Sequence, residues 1–396
     1  MRIFEIENIK QAKEEMELIG ADTAGIEIMA PKSVFKTIKI TGLSPIACNI
    51  IKQEMLSAGG EAAAPKGAVN LSQKNCDLMI MGTLAQLGAL AQKLLIHQFN
   101  LPEISKNISA SLKKYFKPPL NIQFKKKKLG FGKRTYIMGI LNATPDSFSD
   151  GGKFLNFETA LAQADKMISE GADIIDVGGE STRPGAENIP ETAEIKRILP
   201  IIKELKKRRV IISIDTRKAK VAEAAISEGA DMINDISALR FDKNMAHIAA
   251  AAKVPVVLMH MKGTPKNMQN KPEYHDLMAE IIDYLDKSIK IAENAGVNNI
   301  IIDPGFGFSK TAEHNIEILS RLKELKVFGL PILIGTSRKS TIGEVLDLPV
   351  EDRLEGTLAT VVVAILNGAD IIRVHDIKCM KRAAKMADAI ARRTVI

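Results

Sequence analysis

Tryptophan is absent from the 396 residues, and aromatic side chains of all kinds make up only 4%. So few rings provide no stacking platform for single-stranded nucleic acid, even though the formal charge is +8. Much of that excess is local, in FKKKKLGFGKR from Phe124 to Arg134, and a positive field equally serves small anionic substrates. Nucleic acid is therefore not expected as a partner. Cysteine is scarce as well: Cys48, Cys76 and Cys379 stand far apart and form no C-x-x-C pair, which argues against a disulfide framework and a zinc site and for buried thiols. No stretch approaches the roughly 18 uncharged apolar residues of a membrane-spanning helix. The opening residues, MRIFEIENIKQAKEEMELIG, carry too many acids for a signal peptide. With 46% hydrophobic and 26% charged residues and a mean hydropathy of +0.01, the composition is that of a soluble globular protein, expected in the cytoplasm and not at a membrane.

What is present is a rhythm. From Tyr136 onward an apolar run, a polar junction and an amphipathic segment repeat, the runs being YIMGIL, DIIDVG, VIISID, DMINDI, VPVVLMH, IIIDPG, PILIGT and DIIRVH. Between them, stretches such as FETALAQADKMISEG and LEGTLATVVVAILNG space apolar residues three and four apart, as a helix with one buried face does. Gly171, Gly229 and Gly368 stand where such helices would end in a left-handed cap. Eight β-α units in about 260 residues match an α/β fold of the (β/α)8 TIM-barrel type, expected over residues 135–396. An open doubly wound sheet of that many units would be unusually large, and no G-x-G-x-x-G follows the first run.

Residues 1–123 break the rhythm. FKTIKITGL and CDLMIMGT read as strands, SPIACNIIKQEMLSAGG and LAQLGALAQKLLIHQ as helices, and AAAPKGAVN as a weaker strand, giving a small α/β domain of ferredoxin-like type. The lysine run at 124–134 then reads as a basic linker kept solvated by like-charge repulsion. GFGKRT inside it is no phosphate loop, since Lys127 occupies the place of a required glycine.

Chemistry in such a barrel belongs at the C-terminal mouth of the strands. There the runs end on Asn142, GGESTRPGA, Asp215, Asn234, Met259 with His260, Asp303, Lys339 in GTSRKS, and Arg373 with His375. Each residue has a plainer reading: Asp215 and Thr216 as helix caps, Asn234 and Asp303 as turn residues, His260 as a satisfied core histidine. Strands covered on both faces are apolar throughout, however, so polar residues recurring at one end point to a shared ligand. Two carboxylates and an amide, Asp215, Asp303 and Asn234, suit a buried heterocycle rich in N–H donors, such as the amino-amidine edge of a pterin or guanine. Arg183, Arg338, Lys339, Arg373 and a protonated His375 suit phosphate or pyrophosphate. The site reads as bipolar, one half for a nitrogen heterocycle and the other for an anionic leaving group.

In their order on successive β-α units, ILNATPDSFSDGGKF, GGESTRPGA, SIDT, INDI, VVLMHMKG, DPGFGFSK, GTSRKS and RVHD resemble the dihydropteroate synthases, over about residues 135–396. The resemblance implies a transferase. It would join 6-hydroxymethyl-7,8-dihydropterin diphosphate to 4-aminobenzoate in folate biosynthesis and release pyrophosphate, with Mg2+ as cofactor and a homodimer as the assembly. Carried over residue by residue, it implies that Asp215, Asn234 and Asp303 hold the pterin edge, Lys339 reaches the ring oxygen or N5, and Met259 packs nearby. Asn142 would bind Mg2+ with the diphosphate, and Arg373 and His375, aided by Arg183 and Ser181, the diphosphate itself. Thr182, Pro184, Phe308 and Ser340 would line the aminobenzoate pocket together with Phe148. Catalysis would rest on Lys339, Asp215, Asp303, Arg373 and His375, with the C–O bond breaking first and the aniline nitrogen capturing a pterin cation.

Two rivals are weaker. A methyltetrahydrofolate:corrinoid methyltransferase would share the Asp, Asn and Asp but has no diphosphate to release, so TRPG, SRKS and RVHD decide against it. A regulator that kept the pocket without turnover would have no need of the cationic half. The segment ATPDSFSDGGKF after Asn142 reads as a substrate-covering loop, with glycines that permit movement and Phe148 to close over an aromatic substrate.

Overall fold

The computed structural model describes residues 1–124, 128–143, 153–181, 185, 188–266, 268 and 272–392. The chain divides into two compact units, Met1–Lys117 and Pro118–Ile396. In the first, β1 (Phe35–Leu43), β2 (Glu61–Ala63) and β3 (Cys76–Thr83) form a sheet in the order β1-β3-β2, with β3 antiparallel to both neighbours. Thus β1 and β2 run parallel, joined by the helix Pro45–Ser57, and β3 is inserted between them, which is the split β-α-β of ferredoxin-like folds. The weak strand is shorter than AAAPKGAVN suggests, because Pro65 ends it and leads into the helical turn Lys66–Val69. Cys48 and Cys76 are buried in this unit's core with Ile51, Met55, Leu78, Ile80 and Leu87. Two helices, Ile9–Leu18 and Thr23–Ser33, precede the sheet, each opened by a side-chain cap, Asn8 and Asp22.

The second unit begins with a two-stranded hairpin, β4 (Ile122–Gln123) and β5 (Lys128–Leu129). Eight parallel strands follow: β6 (Tyr136–Asn142), β7 (Ile174–Gly178), β8 (Ile211–Asp215), β9 (Met232–Asp235), β10 (Val256–Met259), β11 (Ile300–Asp303), β12 (Leu333–Ile334) and β13 (Ile371–Val374). Their order is β11-β10-β9-β8-β7-β6-β13-β12, and a parallel bridge between Ile302 and Ile332 joins the last strand back to the first, closing a (β/α)8 barrel. Gly171, Gly229 and Gly368 end helices at φ of 103, 138 and 101°, a region open to glycine at no steric cost.

Period-two alternation explains the interior. One residue from each of the eight strands, Met138, Ile174, Ile211, Met232, Val257, Ile301, Leu333 and Ile371, packs into a single buried cluster. The same cluster contains Ile122, Phe124, Leu129, Phe131 and Tyr136, so the hairpin is the floor of the barrel. The intervening residues, such as Ile175, Val177, Ile212, Ile214 and Leu258, face outward onto the helices. The described residues of this basic stretch, Phe124 and 128–134, are therefore not a solvated linker as the lysines suggest. Phe124, Leu129 and Phe131 are 2–5% exposed, and their apolar burial draws the chain under the strands whatever charges lie between. The boundary accordingly falls at 117/118 and not at 123. Among the described residues no helix is long and apolar enough to cross a membrane.

A chain beginning at Pro118 is expected to unfold at nearly the same temperature as the barrel unit of the full chain. One beginning at Thr135, which lacks Phe124, Leu129 and Phe131, is expected to lose several kcal/mol. Equal thermal midpoints for the two truncations would show that the hairpin is not a floor.

Candidate active site

Two residues beyond the apolar floor, the same inward rows carry Asp176, Ser213, Asn234, Met259, Asp303 and Arg373; two further on they carry Asn142, Gly178, Asp215 and His375. The polar mouth is thus the continuation of the floor by one and two strand periods. Asp235, next to Asn234, points the other way and serves its own loop, accepting hydrogen bonds from the Ser237 and Leu239 amides at 2.8 Å and the Ser237 hydroxyl at 2.6 Å.

Arg373 is the hub. Its Nε donates to Asp176 Oδ2 at 2.7 Å and its Nη2 to Asp215 Oδ2 at 2.7 Å. The Asn234 amide nitrogen donates to the same Asp176 oxygen at 2.9 Å, which leaves the Asn234 amide oxygen turned away as an acceptor. Asp176 is fully buried, yet its Oδ1 has no hydrogen-bond partner; neither has the buried hydroxyl of Ser213, its register partner on β8. Buried polar atoms without partners are costly, and here they mark a layer shaped for recognition rather than for stability. Neither residue was singled out from the sequence, where attention went to strand ends. The signal was an acid and a serine in otherwise apolar strands, two positions before Gly178 and Asp215.

Asp303 accepts from the Gly305 amide at 2.7 Å. Lys339 crosses from the next unit, donating to Phe306 O at 2.8 Å with its ammonium 4.1 Å from the centre of the Phe308 ring. Gly307, at φ 78°, makes this possible: a Cβ there would lie 2.6 Å from Lys339 Cδ. Asn315 fixes the pair of loops by accepting from the Gly307 amide at 2.7 Å and donating to Thr341 at 2.8 Å. Phe308 also packs on a buried cluster of Ile236, Met259, Met261 and Met268, so it stands beside Met259 and Lys339. Ser340 is exposed at the start of the helix Ser340–Leu346.

His260 is a core histidine, its Nδ1 2.9 Å from Lys310 Nζ. Burial, then Lys310 and Lys262, push its pKa down to about 2, so it stays neutral. Arg338, one of the cations read from the sequence, is held by Asp376 through two hydrogen bonds of 3.0 and 2.7 Å. His375 Nδ1 lies 3.0 Å from the Ser337 hydroxyl. Asp215 is no helix cap, since the next helix, Ala219–Glu228, starts beyond it. Asn142, half-buried, ends β6 beside Gly178 and Asp215. Ser181 lies just past β7, whereas Phe148, Thr182, Arg183 and Pro184 fall outside the described residues.

Burial governs the charges. It raises Asp215 to about 7 against the pull of Arg373, helped by Asp176. It raises Asp303 to about 6 against the Gly305 amide and Lys339. The same burial lowers Lys339 to about 7 although Asp303 opposes it. These groups change charge near neutrality, as groups in binding and catalytic clefts commonly do. The bipolar layout expected from the sequence is also tighter than two separate halves, because Arg373 touches both Asp176 and Asp215.

Comparison with known proteins gives these features a family. Residues 138–375 match the pterin binding enzyme family. The chain belongs to that family, and its relatives within it are dihydropteroate synthases. The Clostridium beijerinckii dihydropteroate synthase is 54% identical over 67% of this chain and 98% of its own length. A dihydropteroate synthase from Clostridium difficile, crystallised in the presence of pteroic acid, is 51% identical, covers 65% of this chain and 97% of its own, and superposes with a TM-score of 0.63. A probable bifunctional folylpolyglutamate synthase/dihydropteroate synthase of Halobacterium salinarum is 37% identical over 97% of this chain, which spans 46% of that longer protein. Its match therefore extends through the N-terminal unit as well. The chain is a dihydropteroate synthase, a transferase.

Asp176→Asn keeps the shape of the layer but removes the negative charge that holds Asn234 and Arg373 and replaces one acceptor oxygen by a donor. Affinity for a pterin is expected to fall about tenfold or more, as for loss of a charged hydrogen-bond partner; a calorimetric titration within twofold of the unsubstituted chain would contradict this account.

Proposed function

We propose that the mouth binds 6-hydroxymethyl-7,8-dihydropterin diphosphate and 4-aminobenzoate and joins them, forming the C–N bond of 7,8-dihydropteroate as the C–O bond to the diphosphate breaks. The observation that carries this reading is the cluster at the mouth in which Arg373 donates to Asp176 and Asp215 at 2.7 Å each and Asn234 to Asp176 at 2.9 Å, with the buried Asp303 and Lys339 close enough to act on the same charges. Pteroic acid in the crystals of the Clostridium difficile enzyme accords with it.

Asp215, Asp303 and the Asn234 oxygen accept hydrogen bonds from the amino-amidine edge. Lys339, already poised at a carbonyl oxygen, donates to the ring oxygen or N5, and Met259 and Phe308 wall the ring. Three carboxylates, Asp176, Asp215 and Asp303, face two cations, Arg373 and Lys339, while burial disfavours the charged form of the neighbouring Lys310. That imbalance favours a ligand on which positive charge grows, as it does on the pterin methylene when C–O cleavage runs ahead of C–N formation. Arg373 and His375, with Ser181 and Arg183, stabilise the departing diphosphate. The weakly basic aniline needs chiefly to be held in line by Thr182, Pro184, Phe308, Ser340 and Phe148. Once the C–N bond has formed, the nitrogen passes its extra proton to the released diphosphate or to solvent, and no covalent nucleophile on the protein is required.

Mg2+ fits as a partner of the diphosphate rather than a resident ion. Among the described residues no three His, Cys, Asp or Glu side chains gather to hold a metal, whereas the Asn142 amide stands at the mouth. A hard cation that takes most of its oxygens from phosphate and water suits a single protein oxygen. Its chemistry there would be to neutralise charge on the leaving group. We also propose a homodimer. The helix Leu354–Leu366 exposes Leu358, Val363 and Leu366, and its packed neighbours, Ser340–Leu346 and Ile377–Arg392, expose Val345, Leu346, Met386 and Ile390.

Purified protein given the pterin diphosphate, 4-aminobenzoate and Mg2+ is expected to release pyrophosphate, and a folded protein that releases none would remove the assignment. Lys339→Ala is expected to cost about a hundredfold or more in turnover, in the range for a lost charge-stabilising donor. Cys379→Ala should leave it unchanged, and similar losses in the two variants would count against the site.

A further inference from the structure

β12 is only two residues long, and its ladder to β13 pairs Leu333 with Ile371 and Ile334 with Ile372. That ladder stops short of Lys339. Two side-chain contacts continue its register at the same offset of 38 residues, Ser337 with His375 and Arg338 with Asp376. The Ser337 hydroxyl lies 3.0 Å from His375 Nδ1 and accepts from the His375 amide at 3.3 Å. Arg338 Nε and Nη2 donate to the two oxygens of Asp376 at 3.0 and 2.7 Å, the fork-to-fork geometry that a guanidinium makes and an ammonium does not.

Arg338 also departs from ordinary backbone. Its φ is 57°, in the left-handed region that a residue with a Cβ seldom adopts. Both polar groups of its main chain are held there: the amide donates to Thr357 Oγ1 at 3.0 Å, and the carbonyl accepts from Arg353 Nη1 at 3.2 Å. Thr357 is fully buried, and Arg353 lies so close over Gly343 that a Cβ there would come within 2.2 Å of its Nη2. A conformation of this kind persists only where the surroundings over-determine it, and such residues gather at functional sites. The next residue is Lys339, whose amide folds back onto Thr336 O at 3.2 Å and whose ammonium reaches Phe306 O.

The placement is specific. Arg338 precedes Lys339, the group that reaches the pterin ring in the reaction proposed above, and Asp376 follows His375, the group that faces the diphosphate. The tie therefore joins the two residues that act on either side of the C–O bond that breaks. We propose that Arg338 is a positioning residue which, through Asp376, fixes the spacing between Lys339 and His375 and does not itself bind the diphosphate. The inference rests on the proposed reaction. Asp215, Asn234 and Asp303 end or lie within β8, β9 and β11, which take no part in this tie, so a pterin keeps its place when the tie is lost while the groups across the breaking bond lose theirs.

The test is a double-mutant cycle on the full-length chain, with Arg338→Met, Asp376→Asn and both together. Each variant is measured for kcat and for calorimetric affinity for 6-hydroxymethyl-7,8-dihydropterin, which carries no diphosphate. In each single variant kcat is expected to fall about tenfold to a hundredfold, as for a misplacement of about an ångström, and the double variant to lose no more than the worse single one. Affinity for the pterin is expected to stay within about threefold throughout. Losses of kcat that multiply in the double variant, or a loss for Arg338→Met with none for Asp376→Asn, would make Arg338 a direct ligand of the diphosphate and overturn the proposal. Unchanged kcat in both singles, or pterin affinity that falls in step with kcat, would overturn it as well. The two side chains are 34% and 24% exposed, so their loss leaves the core intact. If Arg338→Met nevertheless fails to fold, Asp376→Asn decides alone: a tenfold lower kcat with pterin affinity kept supports the proposal, and an unchanged kcat refutes it. No pyrophosphate from the unsubstituted chain would remove the reaction and this proposal together; an active parent with unchanged variants would remove this proposal alone.

Discussion

One guanidinium shared between two buried carboxylates governs the barrel's mouth. Arg373 reaches Asp176 and Asp215 at 2.7 Å each, and Asp176 in turn orients the Asn234 amide. Charges taken out of water are expensive, and an ion pair seldom returns more than it costs. The layer therefore persists because the rest of the barrel holds it in place. Eight parallel strands fix the Cβ positions, the helices cover the outer faces, and the apolar floor with its hairpin fills the barrel beneath. In the proposed reaction this cluster, with more carboxylate than cation, is preorganised for a ligand that turns cationic, and preorganised charge needs no rearrangement at the moment of reaction.

Two charged clusters stand side by side at the mouth. Arg373 organises residues that project inward from strands, whose positions are rigid to begin with. Lys218 donates to Glu180 Oε1 at 2.9 Å and to Glu194 Oε2 at 2.7 Å. Its partners Glu180 and Glu194 are as deeply buried as the hub's, and Thr216, Arg217 and Lys218 run on directly from Asp215.

Much of this was legible in the residues because strand periodicity is simple. Eight apolar runs ending in polar groups announced the barrel and its mouth, and Asp215, Asn234, Asp303, Lys339 and Arg373 all stand at that mouth. What was missed follows from looking only at strand ends. Asp176 and Ser213 lie one period deeper, inside runs that read as plain core. Arg338 looked like an anion ligand, yet Asp376 holds it, a pairing across loops that no local pattern discloses. The lysines at 125–128 outweighed Phe124, Leu129 and Phe131 in the sequence, whereas in the fold burial of the three apolar side chains decides. The short strand Glu61–Ala63 was visible only as a weak apolar stretch, because its partner β3 supplies most of its definition.

Burial holds the Asp215 and Asp303 carboxyls above their ordinary range, and a bound pterin is expected to draw them back to the charged form. The direct measurement is a carbon-13 NMR titration of the Asp215 and Asp303 carboxyls, assigned by Asp→Asn variants, with and without bound pterin. Midpoints near about 7 for Asp215 and about 6 for Asp303 are expected in the free protein, both moving down when the ligand's N–H groups bond to the ionised oxygens. Midpoints near about 4, the ordinary carboxylate value, in both states would contradict it.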